Sequence, residues 1–311
     1  MKLSRKSKIK DPGFGYSSTE KEKSFINDDG TSNIIHVNRP KSIDDLYTYL
    51  ITISWLHFFI LVLVGFVLVN SIFALIYLLI GIETITPSAH NIWVDFLNSF
   101  FFSAQTITTV GYGGLSPIGL VAGIISSFQA LIGLLSFSFI TGLLYGRFSK
   151  PKSSVVFSEA IILRKFEKER ALMFRLMSKR KQIMIEPEIK VTLSVSEKEK
   201  NGEYKRAFFQ LKLERDAITY LPTMWTIVHK INSDSPFFEY SNEEIKKLNA
   251  KLYILFQNHE DSFSQKVYQI FSYDFKKLVL NHQFKKSTTF DQDGYPVLDH
   301  SLLNELEKIS E

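Results

Sequence analysis

The chain has 311 residues, 37 Lys and Arg against 32 Asp and Glu, a net charge of +5 and no cysteine. So small a charge, spread along the chain, argues against a dedicated nucleic-acid binder. The missing cysteines exclude disulfides, thiolate metal sites and cysteine nucleophiles, and suit a large intracellular part.

Charge is unevenly placed: 46–82 and 96–146 hold no charged side chain, whereas 147–311 is dense in both signs. An apolar run longer than about 18 residues can cross a bilayer as a helix, so the pattern implies an integral membrane protein carrying a soluble domain. No cleavable signal peptide is expected, because 1–45 is polar and the first apolar run is too long for one.

Residues 1–33, rich in Lys, Ser, Asp and Gly without periodicity, read as mostly disordered within an N-terminal segment 1–41. After Ser42, Asp44 and Asp45, the helical spacing of Leu46, Tyr47, Leu50 and Ile51 predicts an amphipathic helix over 42–52 lying along the membrane surface. It leads into a first span, 53–82, interrupted by His57, Asn70 and two serines. At 1.5 Å per residue this run exceeds a hydrocarbon layer of about 30 Å and must tilt or project. Asn70 is read as an interhelical hydrogen-bonding residue rather than an ion contact.

A polar connection, 83–91, precedes a second apolar segment, 92–108, which is too short to span and reads as a re-entrant or buried helix. The second full span, 117–148, carries Gly119, Gly123, Gly133 and Gly142. The loop between the spans lacks Lys and Arg, while Arg39 and Lys41 precede the first span and Arg147, Lys150 and Lys152 follow the second. The positive-inside rule then puts both termini in the cytoplasm.

From 151 to 311 the pattern changes to short alternating runs at 160–166, 171–177, 188–195, 207–213, 224–228, 251–256 and 265–273. Turn dipeptides such as Asn201-Gly202 and Asp293-Gly294 lie between them, which predicts an antiparallel β-sandwich. One helix is expected there, over 241–250, with Glu243 and Glu244 in its first turn and Lys246 and Lys247 later.

Between the two spans stands Thr108-Thr109-Val110-Gly111-Tyr112-Gly113-Gly114. Non-helical backbone at membrane depth survives only when buried in protein or lining a watery path. Gly111 and Gly113 accept φ values closed to other residues, which lets the carbonyls of Thr109, Val110, Gly111 and Tyr112 point one way. Such oxygens from several copies replace the water shell of a cation, the arrangement of potassium filters reading Thr-Val-Gly-Tyr-Gly. The Thr109 hydroxyl is expected to form the innermost ring and Tyr112 to pack outward, holding the loop. The carboxyl end of the preceding helix, at Thr106 to Thr108, aims partial negative charge at the cavity below.

With "DLYTYL", "NSIFALIY", "TTVGYG", "TGLLYGRFSKP", "IEPEIK", "TMWTIVHKINSDSPF" and "QIFSY", the chain closely resembles the inward-rectifier potassium channels, in their prokaryotic branch, from about residue 33 to 299. The resemblance implies a fold of two transmembrane helices and a re-entrant pore helix with a C-terminal immunoglobulin-like β-sandwich domain in the cytoplasm. It implies a homotetramer around one pore and voltage-independent gating, with K+ as the permeant ion and no cofactor. By match, Tyr145 falls at the bundle-crossing gate and Phe137 at the cavity position that controls rectification. Gly133, Phe137, Thr141 and Tyr145 share a helical spacing that supports a pore-lining stripe, although an aromatic stripe is otherwise usually core.

Phe137 stands where strong rectifiers carry a carboxylate, so block by polyamines or Mg2+ is expected to be weak; Ba2+ remains an expected blocker. Glu186 matches the acidic ring of the cytoplasmic pore, while Gln257 replaces a second glutamate there. Gln105 and Leu115 replace the glutamate and arginine that eukaryotic members pair behind the filter. Arg39, Arg147, Lys150 and Lys152 lie at the inner headgroup level, either as plain orientation signals or as a site for anionic lipid. His229 is expected to be a hydrogen-bonded structural histidine rather than a pH sensor.

A two-span sensor that conducts nothing leaves the filter sequence unexplained, and a channel with a nucleotide-binding domain predicts a glycine-rich βαβ fingerprint that is absent after Pro151. No zinc spacing, nucleophile elbow or phosphate loop points to an enzyme. The sequence therefore reads as a passive potassium channel of a bacterial cytoplasmic membrane, gated when its β-domain pulls on the 147–151 linker and the surface helix.

Overall fold

The computed structural model describes residues 7–20, 22–27, 30–38, 43–149, 154–199, 201–261 and 264–309, at 43 and 44 by backbone alone. They fall into two compact units, a helical one of Asn38–Lys150 and a β-rich one of Met1–Val37 with Pro151–Glu311.

The helical unit holds α1 (Ile43–Thr52), α2 (Trp55–Ile80), α3 (Ile92–Ile107) and α4 (Leu120–Phe148). Ser54 caps α2 by accepting from the His57 amide, and Gly81 at φ 100° ends it, a conformation glycine adopts freely. α2 and α4 are long and apolar enough to cross a membrane. Their 26 and 29 residues extend about 39 and 44 Å at 1.5 Å each, so both must tilt in, or project beyond, a layer of about 30 Å. α3, capped by Asn91, has only 16 residues. Its Phe102 ring meets Tyr77 of α2 at 5.0 Å between centroids, and Phe73, Ile85 and partly buried Leu115 close the cluster. Leu115 thus fills apolar space, and no ion pair is needed at that position.

The β unit contains β1 (Lys8–Ile9), β2 (Ser17–Ser18), β3 (Val155–Phe157), β4 (Ile161–Phe166), β5 (Glu169–Ser178), β6 (Met184–Lys198), β7 (Tyr204–Leu211), β8 (Tyr220–Leu221) and β9 (Met224–Ile231). There follow α5 (Asn242–Lys246), β10 (Ala250–Glu260), β11 (Gln265–Asp274), β12 (Leu278–Leu280), β13 (His282–Phe284), β14 (Thr288–Phe290), β15 (Pro296–Leu298) and β16 (Leu306–Lys308). One sheet runs β1-β7-β6-β10-β11, with β2 also on β7 and β8 on β6; the other runs β12-β4-β5-β3, with β9 also on β5. Each of the seven alternating runs read from the sequence forms a strand of these sheets. Alternate residues Ile189, Val191, Leu193 and Val195 of β6 and Leu252, Ile254 and Phe256 of β10 enter a core shared with Ile161, Leu163, Leu172, Phe174 and Leu176 of the second sheet. Period-two burial between two sheets is the mark of a sandwich.

Two expectations need correction. The helix over 241–250 shrinks to α5, held by a capping box between Ser241 and Glu244, because Ala250 pairs with Val195 as the first residue of β10. The stretch 1–33, expected to be mostly disordered, is an ordered strap in its described part. β1 and β2 extend β7, and Phe14 stacks on Tyr253 at 4.5 Å. Arg206 donates to Glu22 at 2.8 Å and to the Phe14 and Gly15 carbonyls, and lies 4.4 Å from the Phe25 ring centre. Lys251 reaches the Glu22 carbonyl at 2.8 Å. The strap covers the outer face of the larger sheet, which is why Phe208, Tyr253 and Lys251 are buried there.

His229 is buried, with Nδ1 2.7 Å from the Lys212 carbonyl and Nε2 2.9 Å from Ser235 Oγ. Burial pushes its pKa down, against the smaller opposing effect of the Lys212 carbonyl. It is a neutral structural histidine.

Candidate functional site

α3 ends where the glycine-rich segment begins. Thr108 Oγ1 turns back to the Ala104 carbonyl at 2.6 Å, and the amides of Thr109 and Val110 donate to the Thr106 and Gln105 carbonyls at 3.1 and 3.0 Å. These bonds use up carbonyls that a helix end leaves open. Beyond them the backbone alternates: φ is 60° at Thr109, 56° at Gly111 and 85° at Gly113, whereas Val110 and Tyr112 are not in the left-handed region. In a strand successive carbonyls point to opposite sides; alternating handedness brings them to one side. Only glycine takes φ near +60° freely, and a β-branched threonine there is strained. The segment leaves through Ile118, whose amide donates to the Thr84 carbonyl at 2.7 Å.

Val110 and Tyr112 are 52% and 81% exposed, so within one chain nothing covers the loop. The Tyr112 ring is largely exposed in its own chain.

Behind the loop is a buried polar chain that the sequence reading missed apart from Asn70. Ser103 of α3 donates to Asn70 Oδ1 of α2 at 2.7 Å; Gln129 of α4 donates to the Ser103 carbonyl and hydroxyl at 3.0 and 2.6 Å; Tyr77 of α2 donates to Gln129 Oε1 at 2.7 Å. Asn70, Ser103, Gln129 and Tyr77 are all fully buried. Asn70 therefore makes the interhelical bond expected of it. The available signal for Gln129 was an amide in mid-span, where polar side chains bond across helices for roughly 1 kcal/mol each.

Of the expected lining stripe, Phe137, Thr141 and Tyr145 face away from their own chain, at 72% exposure for Phe137 and 74% for Tyr145. Gly133 does not belong with them. It is buried, and a Cβ added to it would stand 2.2 Å from the Ile107 carbonyl oxygen at the end of α3. Each four-residue step on a 3.6-residue helix advances about 40°, which puts Gly133 about 120° round from Tyr145. It is a close-packing glycine, one turn beyond Gln129. Substituting Gly133→Ala must push the end of α3 and should destabilise the helical unit by roughly 1–3 kcal/mol, read as a lower thermal midpoint of the detergent-solubilised protein; an unchanged midpoint would mean that α3 yields freely.

Among the basic residues expected near the headgroups, Arg39, Lys150 and Lys152 lie outside the described residues. Arg147 lies within them but is engaged by its own chain: its Nη1 and Nη2 donate to the Leu50 and Ile53 carbonyls, both at 2.6 Å.

In the β unit, Glu186 is exposed at φ 47°, where β6 is irregular and its pairing with β10 shifts register. The carboxylate that meets Gln257 is the neighbouring Glu188, directly across the strand pair and bonded to the Gln257 amide. Lys190 also bonds Glu188 at 3.2 Å, and chiefly through that contact its carboxyl sits below the usual range. Glu186 and Glu188 line one shallow depression with Thr219, Asn258 and Lys266.

Two membrane-length helices, a short helix entering between them and a carbonyl-rich loop uncovered by its own chain define the subunit of an ion channel. The comparisons agree and narrow the class. Residues 62–150 match the family model described as "Ion channel", and residues 155–311 match "Inward rectifier potassium channel C-terminal domain". The chain is 32% identical over 286 residues to the inward rectifier potassium channel Kirbac3.1 of Paramagnetospirillum magnetotacticum, covering 91% of this chain and 95% of that one. It is 24% identical to inward rectifier potassium channel irk-1 of Caenorhabditis elegans, over 91% of this chain and 57% of the relative. It is 23% identical to G protein-activated inward rectifier potassium channel 2 of Rattus norvegicus, over 92% and 72%. The chain belongs to the inward rectifier potassium channel family. It is a membrane protein and a channel, not an enzyme.

Proposed function

We propose that four copies of this chain form one pore that passes K+ down its electrochemical gradient, with Thr109, Val110, Gly111, Tyr112 and Gly113 as the selectivity filter. The observation that carries this is the alternating backbone at 109–113, left uncovered by its own chain. In a bilayer, irregular backbone must line water or be buried in protein, so the loop needs other copies around it. Four such loops set carbonyl rings of Thr109, Val110, Gly111 and Tyr112 in place of potassium's hydration shell.

The same reading makes Phe137, Thr141 and Tyr145 the pore-facing stripe, with the four Tyr145 rings as the constriction. Phe137 offers no carboxylate, so rectification by polyamines or Mg2+ is weak. Glu186, now with Glu188 beside it, supplies the acidic ring of the cytoplasmic vestibule. Both termini and the β-domain are cytoplasmic, in a bacterial inner membrane; basic residues before the first span and after the second, with none in the loop between, support this. Arg39, Lys150 and Lys152 attract anionic lipid at about 1 kcal/mol each.

Rubidium uptake into liposomes holding the purified protein tests the reading. Uptake blocked by Ba2+ and unaffected by a Na+ excess is expected; uptake insensitive to Ba2+ overturns it.

A further inference from the structure

The loop 109–114 depends on how its two ends are held. A Cβ built on Gly111, Gly113 or Gly114 meets no atom within 4 Å among the described residues. The far end is tied by the Ile118 amide to the Thr84 carbonyl. The near end is the last turn of α3, whose Gln105 and Thr106 carbonyls take the amides of Val110 and Thr109. Whatever fixes the height of that turn therefore fixes the height of Thr109.

α4 meets α3 there at two places, four residues apart on both helices and so on one face of each. Gln129 stands at Ser103, and the backbone of Gly133 stands at the Ile107 carbonyl. The first contact is polar and has one direction. Gln129 Nε2 donates to the carbonyl and the hydroxyl of Ser103, the Ser103 hydroxyl donates on to Asn70 Oδ1, and the Asn70 amide donates to the Phe66 carbonyl at 2.8 Å. Gln129 Oε1 accepts from Tyr77. Reversing the Gln129 amide would set its oxygen against the Ser103 carbonyl, two acceptors face to face. Phe73, Phe102, Ile125 and Ile132 fill the same three-helix interface with apolar surface. Apolar contact tolerates sliding; a buried hydrogen bond selects a register, because sliding leaves its donor bare.

We propose that Gln129 is a positioning residue for ion selectivity: acting through Ser103, it sets the height of the last turn of α3 and hence of the Thr109 carbonyl ring. The proposal rests on the reading of 109–113 as the filter. It names what holds that filter in a chain where Gln105 and Leu115 cannot pair as ions.

The test measures K+/Na+ permeability ratios from bi-ionic reversal potentials, and thermal midpoints in detergent, after confirming that each variant is tetrameric. Gln129→Met keeps an unbranched side chain and loses the amide. It should lower the ratio roughly 3- to 20-fold, the span of one interhelical hydrogen bond in a membrane. Ser103→Ala should lower it too, and the double variant should fall no further than Gln129→Met, because both substitutions break one link. Tyr77→Phe, which removes a single hydroxyl, should shift the ratio the same way by roughly twofold. Leu143→Ala, in a separate buried cluster with Leu50 and Phe58, should lower the midpoint at least as much as Gln129→Met and leave the ratio alone. A lower midpoint with an unchanged ratio in Gln129→Met would make the polar chain ordinary helix packing and overturn the proposal. Additive losses in the double variant would also overturn it, as would an equal loss of selectivity in Leu143→Ala. Should Gln129→Met not assemble, Tyr77→Phe decides alone, and an unchanged ratio overturns the proposal. Gly111→Ala separates the two readings: if it lowers the ratio and Gln129→Met does not, only the role of Gln129 falls; if neither lowers it, the filter reading falls as well.

Discussion

Replacing Gly111 with alanine should abolish potassium discrimination. Gly111 sits at φ 56° with no atom within 4 Å of a built Cβ, so steric room in its own chain is not the issue. The cost is backbone: a non-glycine residue in the left-handed region loses roughly 1–2 kcal/mol, which the four copies of the proposed pore multiply to roughly 4–8 kcal/mol. Relaxing φ to negative values flips one carbonyl per chain out of the ring. Since a tenfold change in preference corresponds to only about 1.4 kcal/mol, a K+/Na+ permeability ratio at least tenfold lower is expected. Bi-ionic reversal potentials in planar bilayers measure this, and an unchanged ratio would remove 109–113 from the conduction path. Thr109 at φ 60° shows that the fold already sustains one strained residue next door, which leaves little margin for a second.

The second large effect is expected at Tyr145. Its ring is 74% exposed and takes part in no ring contact within its own chain among the described residues, as suits a side chain that meets its counterparts on an axis. In the proposed pore Tyr145→Ala shortens the side chain at the constriction, and it should raise rubidium uptake at least threefold, equivalent to about 0.7 kcal/mol. A flux equal to wild type would put the barrier elsewhere in the pore. The two substitutions separate cleanly, because Gly111→Ala changes which ion passes and Tyr145→Ala changes how often any ion passes.

What was legible in the sequence follows from periodicity. Ile189, Val191, Leu193 and Val195 alternate in the sequence and in the core, so β6 could be read directly; the same holds for Leu252, Ile254 and Phe256 of β10. β1 and β2 are two residues long and carry no period, and the aromatic anchors Phe14 and Phe25 look like loop residues until Tyr253 and Arg206 stand opposite them. Gly133 was misplaced because an i, i+4 series looks straight over one turn and drifts over three. Arg147 was ambiguous for another reason. A basic residue at the end of a span satisfies the orientation rule whatever it touches, and the carbonyls of Leu50 and Ile53 lie almost a hundred residues earlier in the chain.

The strap has a consequence for how the molecule is made. Glu22 and Arg206 are 184 positions apart, with both long apolar helices between them. At 5–20 residues per second, the ribosome needs roughly ten to forty seconds to bring Arg206 into existence after Glu22. Through that interval the segment that holds Glu22 lacks the β7 surface it docks on, and both long helices are synthesised before that surface exists. Closure of the Glu22–Arg206 pair is therefore a late event in biogenesis, and shortening the chain before β7 should leave the leading segment open to proteases while the helices insert normally.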